Sequence, residues 1–144
     1  MLKPRIILQR IKADTTLKIR CLEEPDQWIE FFEYFDEVRD MYLPQVEGVR
    51  TKRVPSKRYL INALDVQESK VIPLVLTKTA VSQLVKYYVK FSTILDRDYN
   101  ITRTDTGFET DYEVEPSDPR KLDLNGHTKH DLKLLLENQV ILGL

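Results

Sequence analysis

Glycine and cysteine are what this chain has least of. Four glycines among 144 residues are too few for loops that cradle phosphate with bare backbone N–H groups. No G-x-x-x-x-G-K-[ST] or G-x-G-x-x-G run occurs. A single cysteine, Cys21, excludes an internal disulfide and any C-x-x-C pair. Its place on the apolar side of "TTLKIRCL" reads as a small buried hydrophobe. H-E-x-x-H and G-x-S-x-G are also missing. His127 and His130 stand three apart with no cysteine or carboxylate cluster at ligand spacing, so no metal site or cofactor is implied. Long apolar runs are absent as well. "MLKPRIILQRIK" has only Ile6, Ile7 and Leu8 between charges, short of a signal peptide or a membrane span. The expectation is a soluble, intracellular, non-catalytic protein with no membrane partner.

What is present is charge, sorted by sign. The net charge is −1, yet residues 1–22 carry six Lys or Arg against Asp14 alone. Residues 23–40, "EEPDQWIEFFEYFDEVRD", carry eight acids against Arg39. Then "RTKRVPSKRYLINALD", residues 50–65, opens with Arg50, Lys52, Arg53, Lys57 and Arg58 and no acid. Exposed charges are screened beyond about 8 Å, so local charge decides which face attracts a polyanion. The acidic stretch either occupies another part of the surface or folds against the block and neutralises it.

Hydrophobic period gives the elements. In 15–22, Leu17, Ile19 and Cys21 alternate with Lys18 and Arg20, a strand with a basic outer face. Residues 26–43 space Trp28, Phe31, Phe32, Phe35, Val38 and Tyr42 by three or four behind Pro25 and Asp26, which predicts an acidic helix. Its carboxylate pairs, Glu33 with Glu37 and Asp36 with Asp40, read as a solvated face. Trp28 fits inside or outside the core.

Residues 57–65 and 70–76 form a hairpin, with Pro73 marking an edge or a bulge. A helix over 77–91 follows, capped by Thr77 or Thr79. Residues 96–116 make a second hairpin around "DTG", and Pro116 and Pro119 end the sheet. The tail from Gly126 reads as an apolar helix, with Leu132, Leu135, Leu136 and Val140 on one stripe and Leu134 and Ile141 elsewhere. An uncovered helix of this kind invites a homo-oligomer.

The length fits one domain, residues 1–144, with a core that needs no staple. The order suits a mainly β fold: an OB-like five-stranded antiparallel barrel over about 13–116, inserted helices, and a helical appendage over about 120–144. An α+β antiparallel sheet with helices on one face is the alternative.

Cations along strands neutralise phosphates, and nearby rings stack unpaired bases at about 1–3 kcal/mol each. Arg50, Lys52, Arg53, Lys57 and Arg58, with Lys18, Arg20 and Arg103, supply the charge. Tyr59, Tyr99, Phe108 and Tyr112 supply the rings. Four stretches in this order, "LKIRCLEEPDQW", "RTKRVPSKRYLINALDV", "KVIPLVLTKTAVSQLV" and "RDYNITRTDTGFETDYEVEP", resemble the single-stranded-DNA-binding proteins of tailed bacteriophages, the group that includes the T-even helix-destabilising proteins. The resemblance covers about residues 15–116.

It implies an OB-fold that binds single-stranded DNA with little sequence preference, RNA being the other ligand open to such a groove. The work it implies is protection of single strands in replication, recombination or repair in the host cytoplasm, beside other replication or recombination proteins. Carried onto this chain, Arg50, Lys52, Arg53, Lys57 and Arg58 contact phosphates, Tyr59 approaches a base, and Lys18 and Arg20 extend the track. Tyr99, Arg103 and Tyr112 are added from their alternation in the last hairpin. The zinc-binding insertion of T-even members has no counterpart here, nor has the acidic C-terminal tail. The other reading is a viral structural or interaction module that docks through its acidic helix or its C-terminal helix.

Overall fold

The computed structural model describes residues 8–142, with side chains through Gln139. Ile6 and Ile7, and the side chains of Val140 and Ile141, lie outside the described residues. Seven strands and two helices follow one another as β1 (Thr15–Cys21), β2 (Ile29–Asp36), β3 (Met41–Pro44), β4 (Ser56–Asp65), β5 (Lys70–Thr77), α1 (Lys78–Phe91), β6 (Arg97–Asp105), β7 (Thr110–Pro119) and α2 (Leu132–Leu142). All strand pairs are antiparallel, in the order β3-β2-β4-β1-β6-β7 with β5 on the other edge of β4. The protein is mainly β, as expected. The expected five-stranded barrel differs from the sheet seen, which has seven strands and is open: no described strand pairs β7 back to β3 or β5.

β4 is the centre. β2 lies along its Ser56–Leu60 half and β1 along Ala63–Asp65, end to end on one edge. The chain passes from one to the other through a single 3-10 turn at Pro25–Gln27. Helices cover both faces of β4, which is why "LINAL" is an unbroken buried run. Ile61 and Ala63 join Ile19, Leu74, Tyr99 and Ile101 under Ala80, Val81 and Leu84 of α1. Leu60 and Val75 meet Leu132 and Leu135 of α2 on the opposite face.

The tail helix therefore lays Leu132, Leu135 and part of Leu136 on its own sheet. It also starts later than its apolar pattern suggests, at Leu132, where the Asp131 carboxylate accepts from the Leu134 N–H. Asn62 pins the approach to α2: its side chain donates to the His130 carbonyl (3.1 Å) and accepts from the His130 N–H (2.9 Å). α1 begins where expected, with Thr77 as its cap, and ends at Ser92 in the left-handed region.

The expected helix over 26–43 is instead the β2–β3 hairpin. Aromatic and β-branched residues favour a pleated surface, and "IEFFEYF" carries rings on both faces, so its spacing satisfies a helix and a strand alike. The reversal lies in "DEVRD": the Asp36 carboxylate accepts from the N–H groups of Val38 and Arg39, and Asp40 takes a positive φ of 53°. Arg39 and these N–H groups hold the Asp36 carboxyl below the usual carboxylate range, the Arg39 backbone bond contributing most. Trp28 belongs to the core, and its indole N–H donates to the Glu23 carbonyl at 3.0 Å.

Pro73 and Pro116 both lie on edge strands, where a missing N–H costs the ladder least. Pro73 directs its carbonyl away from β4 to the Gln9 N–H (2.8 Å), so its missing N–H faces outward. Gln9 thereby covers the free edge of β5. β7 runs on through Pro116 to Pro119 with an irregularity opposite Arg97–Tyr99, so Pro116 does not end the sheet. Gln83 of α1 clips this outer strand, donating to the Tyr112 carbonyl (2.6 Å) and accepting from the Val114 N–H (2.9 Å).

Candidate nucleic-acid interface

Because β2 pairs with β4, the acidic stretch lies directly against the basic block. Lys57 reaches Glu30 (3.3 Å), Arg58 reaches Glu33 (3.0 Å), and Lys52 and Arg53 both reach Glu37. Arg53 holds the Glu37 carboxyl below its ordinary range, and Glu30 holds the Lys57 ammonium above its own. These pairs are mostly exposed and worth little each, but they cancel much of the field that the sequence promises. Arg50 is exposed in the loop before β4. Tyr59 is half-buried against the core, with the Lys57 ammonium 5.7 Å from its ring centre.

Two expected contacts are turned inward. Arg20 is 4% exposed, because β6 and the end of β7 close over β1. Its Nε donates to Asp98 at 2.9 Å, and its other nitrogens reach the carbonyls of Leu95 and Arg120. Asp98 also accepts from Arg120 at 2.7 Å. This is a satisfied buried network with no side left for phosphate, and of the two cations read onto the outer face of β1 only Lys18 stays there. Tyr99 is fully buried, its hydroxyl has no partner among the described residues, and burial raises its pKa. Lys18 remains exposed on β1. Cys21 is buried as expected, and desolvation pushes its thiol up to about 12.

The remaining predicted residues, Arg58, Arg103 and Tyr112, come together in a cleft of about 360 Å³ where the open sheet fails to close. Arg10, Tyr42 and Lys78 join them from the segment before β1, from β3 and from the start of α1. Glu33, 2% exposed, receives both Arg10 and Arg58 and so fixes two guanidiniums side by side. Arg10 also lies 4.7 Å over the Tyr42 ring. Arg103 donates to the Ile11 carbonyl at 2.8 Å and to both oxygens of Asp105, which raises its pKa further.

Four cations thus face the carboxylates of Glu33 and Asp105, and charge of one sign remains. The start of α1 adds the positive end of its dipole. Sequence reasoning missed Arg10, Tyr42 and Lys78. The basic run of residues 1–22 was a signal for Arg10, but nothing local ties it to Glu33.

No family model matches the chain, and no curated protein or solved structure matches it either. Among the described residues, no cluster of three or more His, Cys, Asp or Glu is arranged to hold a metal ion, and no helix is long and apolar enough to cross a membrane.

Proposed function

We propose that the protein binds single-stranded DNA without catalysis and with little sequence preference, through the cleft between β2–β4 and β6–β7. One observation carries the reading. Arg10, Arg58, Arg103 and Lys78, drawn from four separate parts of the chain, meet in one open cleft beside Tyr42 and Tyr112 with their charge only partly cancelled. Guanidiniums take phosphate oxygens in bidentate fashion, and the rings offer stacking surfaces for unpaired bases.

The reading does not need a closed OB-like barrel, because the gap in the sheet is itself the groove. Lys18 and the loop cations Arg50, Lys52 and Arg53 serve as outer contacts, and Arg20 and Tyr99 as scaffold. The phage setting, the host cytoplasm and the replication or recombination partners rest on the sequence resemblance alone. The interaction-module reading loses its acidic helix, which is a strand hairpin, and finds Leu132 and Leu135 of α2 already buried on the sheet.

Titration with dT oligomers, followed by tyrosine and tryptophan fluorescence at two salt concentrations, tests the proposal. Four phosphate contacts give a slope of roughly −2.8 in log K against log salt, or about a fiftyfold loss between 50 and 200 mM. Lys78→Ser with Tyr112→Ser weakens binding more than Arg50→Ser with Lys52→Ser. Absence of binding at low salt, or binding indifferent to salt, overturns the proposal. Parallel titration with rU oligomers separates DNA from RNA preference.

A further inference from the structure

The β6–β7 hairpin carries an unusual feature at each end. At its tip, Phe108 follows Gly107 in the turn and is fully exposed, with no shielding neighbour. A single exposed aliphatic residue is ordinary, but a whole phenyl ring held out on a tight turn is not. Acids follow it along the chain: Glu109 at the turn, then Asp111 and Glu113 in β7, are all exposed. That charge repels a phosphate backbone, so the tip is unsuited to the strand that the cleft would take.

At the other end, where Arg97 pairs with Pro119, the surface opens into a second cleft of about 560 Å³. Leu22, Leu95, Pro119, Leu122 and Leu124 give it an apolar lining, and Leu95 and Leu124 are substantially exposed. Its lining also includes Lys121, exposed, and Arg120, whose guanidinium already donates to Asp98 at 2.7 Å. Asp96 also lines it, but both its oxygens are held by Arg97 at 2.9 Å. The cleft therefore suits an apolar group flanked by acids.

We propose that the protein associates head to tail with copies of itself, the Phe108 tip of one copy seated in the leucine cleft of the next. Phe108 enters between Leu95 and Leu124, while Glu109 and Asp111 face Lys121. A chain cannot fill its own cleft: the eight steps of β6 separate base from tip by about 25 Å. The contact is heterologous, so each added copy leaves one tip and one cleft free and the assembly grows as an open chain or closes as a ring. The inference is independent of nucleic-acid binding.

Sedimentation velocity of the full chain over a concentration series tests it, with Phe108→Ser as the tip variant and Leu124→Glu as the cleft variant. Leu95→Lys is a second cleft variant should Leu124→Glu alter the far-UV circular dichroism. The wild type gains mass with concentration and loses it at high salt, and each variant alone stays monomeric. An equimolar mixture of the two variants still pairs an intact tip with an intact cleft, so it forms a species of about twice the monomer mass and nothing larger. A wild type that is monomeric throughout, a Phe108→Ser protein that associates like the wild type, or a mixture that stays monomeric overturns the proposal. Loss of dT binding by Phe108→Ser with association unchanged makes the tip a nucleic-acid contact and also overturns it.

Discussion

Glu33→Gln separates the charge of the β2–β4 cleft from its shape. Glu33 is 2% exposed, while its partners Arg10 and Arg58 are 33% and 25% exposed. Breaking a buried ion pair costs roughly 3–5 kcal/mol where the stranded partner stays dry. Here both guanidiniums reach water, and glutamine keeps one acceptor, so the loss is about 2 kcal/mol, read as a lower urea midpoint at unchanged slope. Binding moves the other way. One carboxylate fewer at about 6 Å from a bound phosphate, in a medium of intermediate dielectric, is worth about 1 kcal/mol, or roughly a fivefold gain in dT affinity. If Arg10 and Arg58 then engage one more phosphate, the salt slope steepens by about 0.7. Fluorescence titration well below the unfolding transition reads both quantities. A folded Glu33→Gln protein with unchanged or weaker dT affinity at low salt refutes the assignment of this cleft.

Other consequences follow from the buried polar groups. Asp98→Ala strands Arg20, which has almost no route to solvent, and destabilises the fold by about 3–5 kcal/mol in urea unfolding, whereas Arg120→Ala costs far less because that side chain is half exposed. Cys21, with its thiol pushed up to about 12, resists alkylation at pH 8 until the protein is unfolded. The folded state holds this proton more tightly than the unfolded chain does, so stability falls as pH rises above the unfolded thiol's value near 9, by about 1.4 kcal/mol per unit. Equal labelling rates in the folded and unfolded protein contradict the burial. Asn62→Leu removes the clamp on His130; α2 then loosens from the sheet, and hydrogen exchange shows lost protection in 132–139 with the α1 side unchanged.

The hairpins over 56–77 and 97–119 were legible because each alternates or runs apolar between turn residues, and a register follows from the turn. α1 was legible because Thr77 caps a sequence that switches from period 2 to period 3.6. Residues 26–43 were not, since their rings fit both periods and the choice fell to pairing with β4. For the site, charge in the block was visible, but its cancellation by Glu30, Glu33 and Glu37 depends on which strand lies beside β4. Arg20 and Tyr99 alternate just as exposed residues do. Their burial comes from what packs over β1 and β6, which no local pattern records.

The sequence by itself determined a mainly β chain with a central apolar strand, a capped amphipathic helix and charge sorted by sign, because propensity, period and capping act over a few residues. The tertiary structure decided whether the sheet closes, which cations meet in one cleft, and which are spent on partners inside the molecule. Those outcomes depend on residues such as Arg10, Glu33, Arg58 and Arg103, which lie far apart along the chain and touch only once the strands around β4 have paired.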